Sequence, residues 1–277
     1  MGVAVVKLSA LVCVQNQEVL LSQCLRKLAF CDEIVVVADR CTDRSAEIAR
    51  RHGAVVISGI FPLESQRKAA GVDACTGDWI LEVEACEIVD SALAWEIRAS
   101  LQMRPEGDHF EAPLANYVGD RLVRHGWAGG LGDMSATRLY RRGVKHWKAQ
   151  RLEAAELTGV SAGALKGVLR RKVAEDIGEM IDSLNRLTGL HAEDLADARA
   201  PSGVAGGVLG GLNLFFRSYV ARSGWREGRL GFLLATMTGL YPLLSHLRAR
   251  EVLEARQVVA AAPRRTGRTE VIGIGAR

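Results

Sequence analysis

Strand and helix patterns alternate through the first ninety residues of this 277-residue chain, and no other feature of the sequence constrains the fold as strongly. Four short apolar runs have the length and composition of strands that are buried on both faces. These runs are Lys7–Val14, Asp32–Ala38, Ala54–Ser58 and Trp79–Val83. The segments between them carry helical spacing or helix start and stop signals. Repeats of this length predict an α/β fold with a parallel sheet and right-handed crossovers.

The rest of the chain is less regular. Further strands are predicted at His109–Gly119 and Ala136–Gly143, on either side of a glycine-rich loop. A helical region is expected from Ala164 onward, and Ala200–Gly211 is typical of a Pro- and Gly-rich connector. The helical prediction rests on apolar residues at steps of three and four: Val173, Ile177, Ile181 and Leu184.

Charge and cysteine content narrow the class of protein. A net charge of +4 is mild, and it gives no argument for nucleic acid as a partner. All six cysteines lie in the first ninety residues without a Cys-x-x-Cys pair, which favours buried thiols in a reducing cytosol over a disulfide framework. The apolar N-terminus is interrupted by Lys7 and is expected to be a strand rather than a signal peptide.

One late segment, Leu230–Leu247, contains no Asp, Glu, Lys or Arg, and arginines lie on both sides of it. Eighteen residues are at the short limit for crossing a bilayer, and Gly239 and Pro242 interrupt the segment. A buried core helix and a helix lying in the lipid headgroup region are the alternatives. The aromatic and basic residues of Leu212–Trp225 favour attachment to a membrane surface.

Oxygen-bearing side chains follow the ends of the predicted strands. In an open parallel sheet these loops converge at the carboxyl ends of the strands, where ligands bind. The sequence there has no Gly-x-Gly-x-x-Gly and no Walker loop, which disfavours an ordinary dinucleotide or ATP site. Carboxylates at such an edge accept hydrogen bonds from a nucleoside or hold Mg²⁺ or Mn²⁺ against a diphosphate. The residues are Asn16, Asp39, Asp43, Glu84 and Glu87.

Several segments, in order along the chain, resemble family-two glycosyltransferases of the GT-A fold. The pattern is strongest in VVVADRCTDRSAEIAR, residues 35–50, and in SQRKAAGVDACTGDWILEVEACE, residues 65–87. Later segments resemble the subgroup of lipopolysaccharide-core glucosyltransferases; they read GDRLVRHGW, TRLYRRG, LKGVL, DSLNRLTGLHAEDL and WREGRLGFLLATMTGLYPLL. The resemblance covers about residues 5–250. It implies a Rossmann-like, mostly parallel sheet flanked by helices, with a helical C-terminal region.

The resemblance also implies an activity and a division of the chain. The activity is inverting transfer of a sugar, a hexose by expectation, from a nucleotide-sugar donor to a hydroxyl of a glycan or glycolipid acceptor, with Mg²⁺ or Mn²⁺. The expected place of action is the cytosolic face of the inner membrane, with peripheral association. The expected regions are a nucleotide-sugar-binding and catalytic domain at 1–160, a helical region at 161–262 and a disordered tail at 263–277.

Ten residues are assigned a role, some by their position in the family pattern and the others by their chemistry and their place in the chain. The donor would be bound by Asn16, Asp39, Asp43 and Lys68, and the metal by Glu84 and Glu87. Glu153 would be the catalytic base, and the acceptor would be bound by His125, Trp127 and Arg138.

Three positions depart from the family pattern. Cys86 stands where a second metal-binding acid is expected, and a thiol is a poor ligand for these hard ions. Arg151-Leu152-Glu153 replaces a Val-His-Glu-like element, and Arg170 or Arg171 replaces a later His. The alternative function is therefore a catalytically impaired GT-A module that binds nucleotide sugar or a partner without turnover. Structural roles also remain open: a helix cap for Asp43, solvated acids at 84 and 87, and packing for His125 and Trp127.

Overall fold

The computed structural model describes residues 6–128, 131–148, 151, 155–198 and 204–261. The predicted tail at 263–277 and the predicted base Glu153 lie outside these residues. The strands are β1 (Leu8–Val14), β2 (Glu33–Asp39), β3 (Val55–Gly59), β4 (Trp79–Glu84), β5 (Glu87–Ile88), β6 (His109–Val118), β7 (Arg121–Val123), β8 (Ser135–Arg141), β9 (Lys145–Trp147), β10 (Ala155–Leu157), β11 (Ser161–Ala164) and β12 (Leu169–Ala174). The α-helices are α1 (Glu18–Lys27), α2 (Ser45–Arg51), α3 (Glu64–Ala74), α4 (Ser91–Gln102), α5 (Ile177–Asp197), α6 (Val204–Phe216) and α7 (Gly228–Ala261).

The main sheet has the strand order β3-β2-β1-β4-β8-β6-β12-β5, and β7 and β11 pair with β6. Strands β1 to β4 are parallel to their neighbours among themselves, and β12 and β11 run parallel to β6. Strand β8 is antiparallel to both β4 and β6. The predicted fold class, a mostly parallel sheet flanked by helices with a helical C-terminal region, is confirmed.

The two faces of the sheet differ in what they bury. On β4, Leu81 and Val83 join the large apolar core beneath α1 and α4. Ile80 points to the other face, where it packs with Leu11 and Tyr140. Because side chains alternate along a strand, Glu82 and Glu84 lie on this second face with Ile80. The second face therefore combines an apolar core with buried acids.

The carboxyl ends of β1, β2 and β4 meet at one edge of the sheet. Cys13 of β1 is in register with Val37 of β2 on one side and with Glu84 of β4 on the other. Asp39 lies two residues beyond Val37, so it shares a face with Val37 and Glu84. The prediction that acids from separate strands gather over one edge agrees with this register.

The helical region begins later than residue 164. Strands β11 and β12 extend the sheet as far as Ala174, and α5 begins at Ile177. The helix buries Met180 and Leu184, whereas Ile177 and Ile181 are each 52% exposed. The predicted apolar face was therefore correct at Leu184 but wrong at Ile177 and Ile181, because Val173 belongs to a strand and does not set the phase of the helix. The division of the chain at residue 160 stays a prediction.

Glycines bring α6 and α7 into close contact. A Cβ on Gly211 would collide with the carbonyl oxygen of Gly239. The glycines predicted to form a connector at Ala200–Gly211 thus belong, from Val204 onward, to a helix that packs closely on its neighbour. In the part of the chain that the structure describes, one helical segment, Gly224–Val258, is long and apolar enough to cross a membrane. A third of its most apolar stretch is buried in the protein.

Candidate active site

A buried carboxylate at the middle of β4 organises the charged residues beneath the sheet edge. Glu82 is 1% exposed, and its Oε1 accepts a hydrogen bond from Lys68 Nζ at 2.6 Å. Its Oε2 accepts from Lys145 Nζ at 2.8 Å and from the Tyr140 hydroxyl at 3.0 Å. Burial opposes ionisation, but the charges of Lys68, Lys145 and Arg138 hold the pKa of Glu82 well below its usual range. Glu82 is therefore an ionised hub in the protein interior.

The two predicted metal ligands, Glu84 and Glu87, are bonded to arginines. Arg138 Nη2 donates to Glu84 Oε1 at 2.7 Å and to Glu87 Oε1 at 2.6 Å. Arg171 Nη2 lies 3.1 Å from Glu84 Oε1 and 3.0 Å from its Oε2. The remaining oxygen of Glu87 accepts the backbone N–H of Glu84 at 2.9 Å. All four carboxylate oxygens thus have donors.

The pKa values of Glu84 and Glu87 are shifted in opposite directions. Burial opposes ionisation of Glu84, yet Arg138 and Arg171 outweigh it and hold its pKa far below the ordinary value. Burial is the main reason that the pKa of Glu87 is raised, and the Glu84 charge adds to it. Burial also raises the pKa of the Cys86 thiol, whose Sγ lies 3.6 Å from Glu84 Oε2. The thiol is therefore neutral.

This donor set does not fit a divalent cation. Mg²⁺ and Mn²⁺ need several free oxygens, and the oxygens of Glu84 and Glu87 already bond to guanidinium or amide N–H groups. The third nearby group is a neutral thiol, which is a poor ligand for these ions. No group of three or more His, Cys, Asp or Glu side chains suited to a metal occurs among the described residues. The predicted metal remains a prediction that this geometry disfavours.

A cleft of about 510 Å³ opens beside the cluster. Glu84, Arg138 and Arg171 form part of its wall, together with Lys145 and the exposed Asp133. Strand β8 supplies Arg138, β9 supplies Lys145 and β12 supplies Arg171, so three separate strands direct cations to one cleft. Such a wall is suited to an anionic ligand that presents several oxygens.

The predicted donor residue Asp39 lies at the same edge under an arginine. Its Oδ1 accepts the backbone N–H of Phe61 at 3.0 Å, and both carboxylate oxygens bond to Arg40, at 3.1 and 2.8 Å. Asp39 is 2% exposed, whereas the Arg40 side chain is 46% exposed. A nucleoside that bonds to Asp39 would therefore displace the Arg40 side chain.

Asn16 and Asp43 hold the loops that follow β1 and β2. Asn16 has a φ of 51°, and its Oδ1 accepts the backbone N–H of Thr42 at 2.8 Å. Asp43 accepts the N–H of Glu18 at 2.9 Å and that of Ser45 at 3.0 Å, the first residues of α1 and α2. Asp43 thus satisfies a backbone N–H at the start of two helices, although the N-cap positions themselves belong to Gln17 and Arg44. This contact is close to the helix-cap role that the sequence left open. Donor contact by these residues remains a prediction.

Two of the other assigned side chains point inward. Trp127 is 1% exposed, and its Nε1 donates to the Val123 carbonyl at 2.7 Å. A ring with that burial offers no face to a sugar, so packing is the role that the structure supports for Trp127. Lys68 is 4% exposed against Glu82, below the surface where a nucleotide would bind.

The remaining acceptor residues have different surroundings. His125 is partly buried, and its backbone N–H bonds to Glu227 Oε1 at 3.1 Å, which ties this loop to the C-terminal region. Arg138 is 3% exposed and bonds to the acids of the cluster.

Sequence reasoning missed Glu82 and assigned no role to Lys145. The signal for Glu82 was present, because a charged residue in the middle of a buried strand requires a partner. It also lies two residues before Glu84, on the same face of β4. Lys145 carries no such signal, since its place depends on how β9 packs under the sheet.

The chain was compared with known proteins, and no family model matches it. It is 26% identical over 265 residues to a lipopolysaccharide core biosynthesis glycosyltransferase, LpsC, from Rhizobium meliloti (strain 1021). That similarity covers 90% of this chain and 94% of the relative. It confirms the predicted resemblance to lipopolysaccharide-core glycosyltransferases and, with it, the predicted class of enzyme.

The proteins of similar solved structure have lower sequence identity to this chain. Mannosyl-3-phosphoglycerate synthase from Rubrobacter xylanophilus is 19% identical, with a TM-score of 0.36, over 40% of this chain and 41% of that chain. Glucosyl-3-phosphoglycerate synthase from Mycobacterium tuberculosis, solved with Mn²⁺, UDP and glucosyl-3-phosphoglycerate, is 18% identical, with a TM-score of 0.34, over 40% and 44%. The chain thus spans less than half of these two proteins. S. aureus TarS 1-349 is 13% identical, with a TM-score of 0.46, over 91% and 92%.

Proposed function

We propose that the protein is an inverting glycosyltransferase that moves a sugar from a nucleotide-sugar donor to a hydroxyl of a lipid-linked or cell-envelope glycan. The full-length similarity to a lipopolysaccharide core glycosyltransferase supports the acceptor class. The observation that carries the proposal is the shared edge of β1, β2 and β4, where Asp39 and Glu84 lie on one face. A nucleoside at Asp39 would direct its diphosphate toward Glu84 and the cationic cleft.

The chemistry requires in-line displacement at the anomeric carbon of the donor. The acceptor oxygen forms the new bond from one side while the bond to the diphosphate breaks on the other, and its electron pair leaves with the diphosphate. A carboxylate takes the proton of the acceptor hydroxyl. The resemblance assigns this step to Glu153, and Asp133 is a second carboxylate on the cleft wall.

The test is transfer by the purified full chain. It is incubated with UDP-, GDP- and ADP-linked hexoses and a detergent-solubilised core glycolipid, and release of nucleoside diphosphate is measured with and without acceptor. We expect release that depends on the acceptor and that Glu153→Gln abolishes. Folded protein with no release from any donor would instead favour the alternative, a module that binds without turnover.

We also propose that the protein works on a membrane surface, at the cytosolic face of the inner membrane. Exposed apolar residues occur at steps of three and four along α6 and the π-helical turn after it, Arg217–Ala221. Phe232 of α7 joins them, because its ring lies 6.0 Å from Phe215, which in turn lies 5.6 Å from Phe216. This apolar patch consists of Leu209, Leu212, Phe216, Val220 and Phe232.

The charges beside the apolar patch fit a lipid surface. Arg217, Arg226 and Arg229 are exposed in the same region. Glu227, the nearby acid, is buried and paired with Arg121 at 2.9 Å. An apolar patch bordered by arginines is suited to anionic headgroups over an acyl layer. Binding there would bring the active site close to a lipid-linked acceptor.

A further inference from the structure

A guanidinium lies where the family resemblance places a metal ion. Of the two arginines considered for the position of the missing His, the structure selects Arg171, which contacts both oxygens of Glu84. Arg170 points away, with its guanidinium 5.0 Å from the centre of the Tyr117 ring. Arg171 thus lies beside Glu84 and Cys86, the two positions of the expected metal motif, and beside Glu87, the acid expected to substitute for the second.

We propose that Arg171 replaces the divalent cation and binds the diphosphate of the donor directly, so that donor binding needs no metal, while the buried Arg138 helps to hold Glu84 and Glu87 in place beneath it. This inference rests on the proposed function, since it names how the same site holds the donor. It also gives one reason for two departures from the family pattern. A cation held by Arg171 needs neither a second acid at Cys86 nor a His.

The geometry of Arg171 suits this role. A guanidinium has five N–H donors in a plane, and it bonds phosphate oxygens in pairs. Arg171 directs Nη2 to Glu84 and places Nε 3.8 Å from Glu87, yet it also forms part of the wall of the 510 Å³ cleft. Its side chain is 21% exposed. Glu84 and Glu87 therefore fix the orientation of Arg171 while it faces the cleft.

Fixed arginines also suit the departing group. When the bond between the anomeric carbon and the diphosphate oxygen breaks, the electron pair stays on that oxygen. No proton has to be transferred to it, because preoriented N–H donors stabilise the developing negative charge. Glu84 and Glu87 then act as positioning residues, since they hold Arg138 and Arg171 in place.

The test is calorimetric titration of the full chain with UDP, GDP and inorganic pyrophosphate, first in EDTA and then in Mn²⁺. We expect the dissociation constant of each ligand that binds to be the same in both buffers. Arg171→Ala should weaken binding by about tenfold or more, because charge-assisted bonds to phosphate are lost. Arg171→Lys keeps the charge without the fork and should give an intermediate loss. If Arg171→Ala does not fold, Arg171→Lys still tests the role of the guanidinium.

Arg170→Ala is the matched control, because it removes an arginine from the adjacent position of the same strand without touching the acids. We expect it to bind as the wild type does. Nucleotide binding that requires Mn²⁺ would overturn the inference, and so would binding that neither Arg171 variant changes. Absence of binding by all three ligands in both buffers would overturn it as well.

The transfer assay separates this inference from the proposed function. Sugar transfer in EDTA would support both of them. Transfer that requires Mn²⁺ or Mg²⁺ would leave the glycosyltransferase in place and overturn the role of Arg171 as the replacement for the cation. Metal-independent nucleotide binding without transfer would support the role of Arg171 and contradict the enzyme.

Discussion

Lys68 Nζ and Glu82 Oε1 lie 2.6 Å apart in the protein interior, where the two side chains are 4% and 1% exposed. The pair joins α3 to the middle of β4. Lys145 Nζ reaches the other oxygen of Glu82 at 2.8 Å, and Arg138 lies 3.6 Å from the first. One buried carboxylate thus lies close to Arg138 and Lys145, two of the cations that line the cleft.

Glu82→Gln should lower the free energy of unfolding by about 3–5 kcal/mol, because it leaves buried cations without their central carboxylate. The measurement is chemical denaturation at neutral pH. Glu47→Gln is the control, since Glu47 forms an exposed ion pair with Arg51 and its loss should cost less than about 1 kcal/mol. Equal effects of the two substitutions would contradict the hub role of Glu82.

The sequence was sufficient to predict the strands whose carboxyl ends form the site, but not the side-chain contacts beneath those ends. Strands β1 to β4 begin and end within a residue of their predicted limits, because buried parallel strands form continuous apolar runs between turn signals. Alternation along β4 would have placed Glu82 beside Glu84. The pairing of Arg171 with Glu84 spans 87 residues and depends on β12 entering the sheet next to β6, which no local pattern encodes.

Asp43→Ala should destabilise the protein by about 1–2 kcal/mol, because the carboxylate satisfies backbone N–H groups at the starts of both α1 and α2. Asp90→Ala is a matched control: Asp90 caps α4 through Leu93 N at 2.8 Å, on a helix that carries no predicted donor residue. Calorimetric titration of both variants with UDP then isolates any donor contact. If Asp43→Ala lowers the stability but leaves UDP binding unchanged, Asp43 has a structural role at the helix starts and does not bind the donor.

Stability should fall in acid because of Glu82 and Glu84. The pKa of each is held below its usual range in the folded protein, so their ion pairs stabilise it above the unfolded pKa and are lost as the pH falls below about 5. Glu87 has a raised pKa and contributes in the opposite direction. Glu84→Gln should therefore be less stable than the wild type at neutral pH, and the difference should shrink in acid. Denaturation across a pH series measures this, and a constant difference would contradict it.

Cys86→Asp alone should not make nucleotide binding depend on metal, since Arg138 and Arg171 still bond to Glu84. Cys86→Asp combined with Arg171→His removes one guanidinium and supplies a carboxylate and an imidazole. We expect UDP to bind the double variant more tightly in Mn²⁺ than in EDTA, and Arg171→His alone is the control. If Cys86→Asp alone binds UDP more tightly in Mn²⁺ than in EDTA, the arginines do not block metal binding at Glu84 and Glu87.

The apolar patch should carry the membrane association. Leu212 and Phe216 are 52% and 58% exposed on one face of α6, so Leu212→Gln with Phe216→Gln removes apolar area without opening the core. Two such side chains account for about tenfold or more in partitioning. The measurement is co-sedimentation with phosphatidylglycerol vesicles, with phosphatidylcholine vesicles as the uncharged reference. Trp95→Gln is the control, because Trp95 is 74% exposed on α4 and does not belong to the apolar patch. Equal vesicle binding by the wild type and the double variant would contradict the assignment of the apolar patch, whereas equal losses in all variants would indicate nonspecific adsorption.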